Sequence, residues 1–494
     1  MICSINSLPA EVLTRILSHA SCHCKNDPDY NIIPPVLSPI SYSAVCRHWR
    51  QVAVNHRSLW THIDLVVNVM DRNGKYYSPE VWLENSKGAP LYIRVLQPRF
   101  PLDDEYVAEE EEESYDPSFP GSDRLPPPMV SRLVDFLSPL MPQVCSLTTV
   151  LSWPYECTLE MLLECWTAHG TPGQAKVLKT LSNLERVQIS TRFPESCASF
   201  LGSLEVLHLH NTMLSGWSSF SFHNLTEFEA SMGEDQSTIA LFELAAILSS
   251  CPKLQRFSLD GRMVEPFPAQ QTKSILLQDL RELEVTGFSN IREMDGAAML
   301  ESLLTMIIPG LNALDVEISL SCISKTPQRA IDAVRAFVER ANVTRLRIHA
   351  YETSHFWDHT YFASQLGPLP RVQTLILEEW GFADVAHFEE TDETPITCDN
   401  LRPINPEVVL WPDVRTLYLH HCFLEKAHLC QLISLQSIHT LYMKECFNGY
   451  QSRHPSPLKP GSQESTEYVQ LLSQLVPKVA QLPTYDVPWG TLIW

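Results

Sequence analysis

The amino-acid sequence predicts an α/β solenoid, parallel strands backed by helices, with a small helical unit in front of it. Two observations predict the solenoid. One phrase, apolar-x-x-apolar-x-apolar, recurs ten times between Leu184 and Met443, its starts 20 to 42 residues apart. The last two apolar positions are two apart, which is strand spacing with both side chains on one face. The second observation is the helical sequence between the phrases. Such a unit cannot bury its apolar face alone, so the units must stack into a wall. The front unit is predicted by two amphipathic stretches that flank a Pro-rich segment within the first 65 residues.

Taken in order, Leu8 to Ala20 reads as a helix. Ser7 suits the N-cap, Pro9 the first turn, and Val12, Leu13, Ile16, Leu17 and Ala20 form one apolar face. Ser41 to Val54 reads as a second helix with Val45, Trp49, Val52 and Ala53 on one side. Leu59-Trp60 comes next, and Ile63 and Leu65 start a strand. These anchors, Leu8-Pro9 with Glu11, Leu13, Ile16 and Leu17, then Val45-Cys46-Arg47-x-Trp49-Arg50, then Leu59-Trp60, resemble the F-box. The order and type of the anchors make the match specific over about 55 residues. About 20 residues between the halves, Ser21 to Ile40, exceed what a compact F-box needs. Val81 to Val95 is similar to the helix and strand that come after the F-box in many fungal members.

Three domains are expected: an F-box over 1–65, a connecting and capping region over 66–150, and the solenoid with its C-terminal cap over 151–494. Within the second, residues 97 to 128 carry prolines and the acidic run Glu109 to Glu113, and read as a disordered insertion. Met129 to Leu140 and Thr158 to His169 read as helices of an irregular first repeat. Thr238 to Cys251, Gly296 to Ile308, Gln328 to Ala341 and Thr466 to Val476 read as helices of the wall, and Pro477 to Trp494 as an irregular tail. The phrase resembles the leucine-rich repeat, which implies a horseshoe with a mainly parallel sheet on its concave face.

Composition narrows the function classes. The formal net charge is −22, and residues 101 to 123 hold ten acidic side chains and no Lys or Arg. With no basic stripe to oppose that, nucleic acid is a poor partner. Neither a signal peptide nor roughly 18 uninterrupted apolar residues are found, so no membrane is expected. The 14 scattered cysteines fit reduced thiols in cytoplasm or nucleus. Enzyme motifs are missing: no phosphate loop, no His-Glu-x-x-His, no Gly-x-Ser-x-Gly. No cofactor and no metal is expected. His19, Cys22, His23 and Cys24 crowd four candidate ligands into six residues, an awkward zinc spacing, and read as a loop. Cys422 and Cys446 each lie three residues beyond the last apolar strand position, where the chain turns off the strand.

These readings set the functional expectation. The F-box resemblance implies a substrate-recognition subunit of an SCF-type ubiquitin ligase, non-catalytic itself, with the cullin as scaffold of the complex. Leu8, Pro9, Leu13, Ile16, Leu17, Val45, Cys46, Trp49, Leu59 and Trp60 would serve the Skp adaptor, some of them by holding the F-box helices together. A scaffold role outside any ligase is the alternative. A protein substrate would lie on the strand positions that flank the inward pair: Glu227, Glu229, Glu282, Glu284, Asp315 and Glu317, then Arg345, Arg347 and His349, then Tyr418 and Tyr442. With Arg256 and Asp260 counted, this row holds seven carboxylates against one Arg across four adjacent rungs, an acidic field suited to a basic segment.

Overall fold

The structure is a computed structural model. It describes residues 8–21, 39–66, 79–96, 127–151, 156–182, 189–192, 198–210, 212–215, 220–231, 239–261, 264–265, 273–287, 296–320, 327–349, 366–367, 369–382, 411–424, 429–430, 433–434, 437–448, 458 and 462–482. Residues 97–126 of the expected acidic insertion and Cys22, His23 and Cys24 lie outside that set. The chain divides into two compact units, 1–237 and 238–494.

The first unit opens with helices α1 (Ala10–Ser21), α2 (Pro39–Val45) and α3 (Arg47–Asn55) and a 3-10 turn over Arg57–Trp60. The single helix expected over Ser41 to Val54 is broken. Cys46 adopts extended backbone (φ −159°, ψ 173°), and its sulfur accepts a hydrogen bond from the Trp49 N–H at 3.5 Å, so it caps α3. Leu13, Val52, Ala53, Leu59 and Trp60 fill the interior of this bundle. The Trp60 indole donates to the Ala53 carbonyl at 2.7 Å and meets Trp82 edge-on at 5.4 Å. Trp82 belongs to α4 (Pro79–Ser86), so the helical bundle shares its core with α4.

Parallel strands then alternate with helices: β1 (His62–Val66), β2 (Leu91–Leu96), α5 (Pro127–Leu137), β3 (Val144–Leu151), α6 (Glu156–His169), β4 (Val177–Ser182), β5 (Ile189–Arg192), α7 (Ala198–Leu201), β6 (Val206–His210), β7 (Thr212–Ser215) and β8 (Glu227–Ser231). The ladder runs β1-β2-β3-β4-β6-β8. Its buried rows are Leu147, Leu178, Leu207 and Phe228, and Thr149, Thr180, Leu209 and Ala230. The first phrase does not supply a rung. Its last residue, Ile189, opens β5, which pairs with β7 in a separate two-stranded sheet, and the rung between β3 and β6 is β4. β3 and β4 escape the phrase because Thr149 and Thr180 stand where it needs an apolar residue.

In the second unit the order is β9 (Ile239–Ala240), α8 (Leu241–Ser249), β10 (Arg256–Asp260), β11 (Val264–Glu265), β12 (Ile275–Leu277), β13 (Glu282–Thr286), α9 (Gly296–Met306), β14 (Ile307–Pro309), β15 (Leu314–Ser319), α10 (Pro327–Arg340), β16 (Val343–His349), β17 (Thr374–Glu378), β18 (Gly381–Phe382), β19 (Thr416–His420), β20 (Phe423–Leu424), β21 (Thr440–Lys444), β22 (Phe447–Asn448), a last helix Gln463–Leu472 and β23 (Lys478–Gln481). Its main ladder, β10-β13-β15-β16-β17-β19-β21-β23, is parallel throughout. Phe257, Leu283, Val316, Leu346, Leu375, Leu417 and Leu441 align in one buried row. β23 lies in the expected irregular tail. Leu311 departs from its phrase, being 94% exposed where Leu254, Leu280 and Val414 are buried. α9 packs against α10 as the helical layer requires.

The turn after each late strand repeats one device. Glu379, His421 and Glu445 sit in the left-handed region (φ 51–59°), and the next residue points back inward. There the Trp380 indole donates to the Ile348 carbonyl at 3.1 Å, Cys422 to Leu377 at 3.3 Å and Cys446 to Leu419 at 3.4 Å. Ile348, Leu377 and Leu419 are register partners, so each turn caps a carbonyl of the preceding rung. The cysteines are structural, and burial pushes the Cys422 thiol well up.

Candidate functional site

Two surfaces matter, one in each unit. On the helical bundle the expected adaptor residues divide by burial. Leu13, Leu17, Leu59 and Trp60 are at most 2% exposed, so they hold the domain together and present nothing to a partner. Trp49 is half-buried against Tyr42, with ring centroids 6.4 Å apart. Outward stand Val12 and Ile16, one turn apart on α1 and each 43% exposed, and Val45 at 60%. Pro9 is exposed, while Leu8 and Cys46 are intermediate. The break at Cys46 turns Val45 outward, away from the face that a continuous helix would have given it.

On the second unit the register stacks the outward positions into three rows. The first is Arg256, Glu282, Asp315 and Arg345; the second is Ser258, Glu284, Glu317, Arg347, Ile376, Tyr418 and Tyr442; the third ends in His349, Glu378, His420 and Lys444. The expected acidic field is corrected here, because cations on neighbouring strands pair with the carboxylates. Arg256 reaches Glu282 at 3.5 Å, and Arg345 reaches Asp315 at 2.8 Å. Arg347 bridges Glu317 at 3.1 Å and Glu378 at 2.5 Å; His349 does the same at 3.0 and 2.9 Å. His420 Nδ1 adds a third bond to Glu378 at 2.5 Å.

Burial alone would raise the Glu378 carboxyl, but the bonds from His349 and His420 and the Arg347 charge hold it far below the carboxylate range. Burial would lower His349, yet its bonds to Glu317 and Glu378 push it up to about 9. Glu317 is likewise held down, against burial, by His349 and Arg347. The result is a charge-compensated knot rather than a negative field. Beside it, Tyr418 stacks on Tyr442 with centroids 4.5 Å apart, and Lys478 sits 5.6 Å over the Tyr442 ring. Tyr418 is 7% exposed, so Tyr442 carries the more accessible face of the pair.

Glu227 and Glu229 belong to the first unit and do not join this knot. They face His208, at 3.5 and 3.4 Å, and Glu229 also faces His210 at 3.3 Å. Sequence reasoning placed His420 and Lys444 among the outward positions beside Tyr418 and Tyr442, but missed His208, His210 and Glu378 as part of these surfaces. Alignment of the phrases carried the signal, since Glu378 and His420 come directly after the last apolar position just as His349 does.

A helical bundle with a buried Leu-Trp core and an exposed apolar edge, continuous with parallel strand-and-helix repeats, defines the class. Residues 5–66 match the F-box-like family. No curated protein matches the chain. Residues 5–66 are thus an F-box-like domain, and the C-terminal part of the chain is a repeat-like, mainly parallel α/β sheet.

Proposed function

We propose that the protein is the substrate-recognition subunit of an SCF-type ubiquitin ligase. The F-box-like domain would bind the Skp adaptor, the adaptor would join a cullin scaffold, and the repeat face would hold the protein to be ubiquitinated. The observation that carries this reading is the family match over residues 5–66 together with an apolar edge left exposed on that domain. Covering a large apolar side chain is worth roughly 1.5–3 kcal/mol. Val12, Ile16 and Val45 would thus offset much of the ~4–15 kcal/mol cost of association. No chemistry is assigned to this chain, because ubiquitin transfer would belong to its partners.

The substrate surface would be the outward rows of the second unit. Arg347 and His349 are engaged within the knot, so recognition rests on Tyr442, on the partly exposed Arg256, Glu282 and Asp315, and on the Arg345 guanidinium beside Asp315. The experiment is affinity purification from cells of wild type, of Val12→Glu/Ile16→Glu, and of Tyr442→Ala/Glu282→Lys. The first variant should lose the adaptor and cullin and keep the other partners. The second should do the reverse. Retention of adaptor and cullin by the first variant contradicts the assignment.

A further inference from the structure

On the outward face of the first unit, His208 and His210 lie two apart on β6, and Glu229 is the register partner of His208 on β8. Their ligand atoms all lie within 4.8 Å of one another. His208 Nδ1 stands 3.4 Å from one Glu229 oxygen, and His210 Nε2 stands 3.3 Å from the other. These separations are long for N–H···O bonds, which fall at about 2.7–3.2 Å. The two nitrogens approach different Glu229 oxygens, which places the carboxylate across the gap between the imidazoles, at a spacing near the roughly 3.3–3.5 Å between ligand atoms around a zinc ion with bonds of about 2.0–2.2 Å.

An outer shell is also present. His210 Nδ1 lies 2.6 Å from Ser231 Oγ; with the proton donated there, Nε2 turns its lone pair toward Glu229. The other cluster of similar composition, His420, His421 and Glu445, differs in the decisive respect. There His420 Nε2 stands 3.5 Å from Glu445, but His421 Nε2 lies 2.6 Å from the same oxygen, a hydrogen-bond distance that leaves no gap for a cation between them.

We propose that His208, His210 and Glu229 form a zinc-class divalent cation site that clips β6 to β8. Two imidazoles and one carboxylate supply three ligands, and the fourth position takes water. The site is independent of the F-box reading, since it uses neither the adaptor edge nor the second unit. Manganese and magnesium prefer sites richer in oxygen ligands, so they should bind far more weakly.

The test uses the full-length protein, stripped with chelator and dialysed. Zinc is titrated calorimetrically, and bound metal is counted by elemental analysis. Cobalt(II) serves as a spectroscopic probe for a four-coordinate nitrogen and oxygen site. Wild type should bind one more equivalent than His208→Ala/His210→Ala, and the tetrahedral cobalt bands should vanish in that variant. Ser231→Ala should weaken binding about 10- to 100-fold, the usual effect of losing an outer-shell partner. His223→Ala, an exposed histidine outside the cluster, should change nothing. If the double variant does not fold by circular dichroism, Glu229→Gln replaces it. Equal zinc stoichiometry and equal cobalt spectra in wild type and the folded ligand variant overturn the proposal.

Discussion

Removing one carboxylate, Glu378→Gln, tests the charge knot on β16, β17 and β19. The Glu378 side chain is 9% exposed and accepts from Arg347, His349 and His420. Breaking a buried pair from one side costs about 3–5 kcal/mol. Glu317 still receives Arg347 and His349 in the variant, so about 2–4 kcal/mol is expected. The pH dependence gives a sharper signature. His349 is raised in the folded state from 6.5 to about 9. Its contribution is therefore complete below pH 6.5 and is lost as pH rises through about 9. At ~1.36 kcal/mol per pH unit that loss is about 3 kcal/mol. Glu378 is depressed, so its share is present above its ordinary pKa of 4.5 and fades as pH falls below it. Urea unfolding followed by circular dichroism should show highest stability between pH 4.5 and 6.5 and a decline toward pH 9. In Glu378→Gln the alkaline decline should be clearly shallower. The same slope in both proteins refutes the reasoning, whatever the midpoint difference.

Other perturbations separate core from surface. Leu13→Asp puts a carboxylate at a fully buried position and should unfold the F-box-like domain, at a cost of at least about 3 kcal/mol, seen as new proteolysis below residue 66. Ile16→Glu, at 43% exposure, should leave proteolysis unchanged while weakening adaptor capture. Phe257→Ala should cost about 3–5 kcal/mol by urea midpoint, against under about 1 kcal/mol for its exposed neighbour in Arg256→Ala. Gly287 has φ +71°, and a Cβ there would lie 1.8 Å from Asp260 Oδ1, so Gly287→Ala should lose about 1–3 kcal/mol.

How much was legible in the sequence depends on what each element needed. The rungs from Leu204 onward were readable because two buried side chains per strand must be apolar, and that repeats. β3 and β4 were not, because Thr149 and Thr180 occupy buried positions and break the pattern. The α2–α3 break was hidden, since Cys46 caps through its sulfur in a stretch whose periodicity suits one helix. Burial in the helical bundle splits Leu13 from Ile16, three residues apart on one apolar face, and hydropathy alone cannot divide them. Charge signs were legible but their pairing was not. Whether Arg347 meets Glu317, Glu378 or solvent is fixed by strand register, which only the fold supplies. The same holds for His208, His210 and Glu229, which come together only when β6 and β8 align.

The central claim is that residues 5–66 join this chain to a ligase through the Skp adaptor. Its most direct measurement is the mass, by light scattering after size exclusion, of full-length chain mixed with recombinant adaptor and then with cullin. The account predicts a stable binary complex, then a ternary one with a single copy of each, and free components when Val12→Glu/Ile16→Glu replaces wild type. Separate elution of folded wild type and adaptor would contradict it.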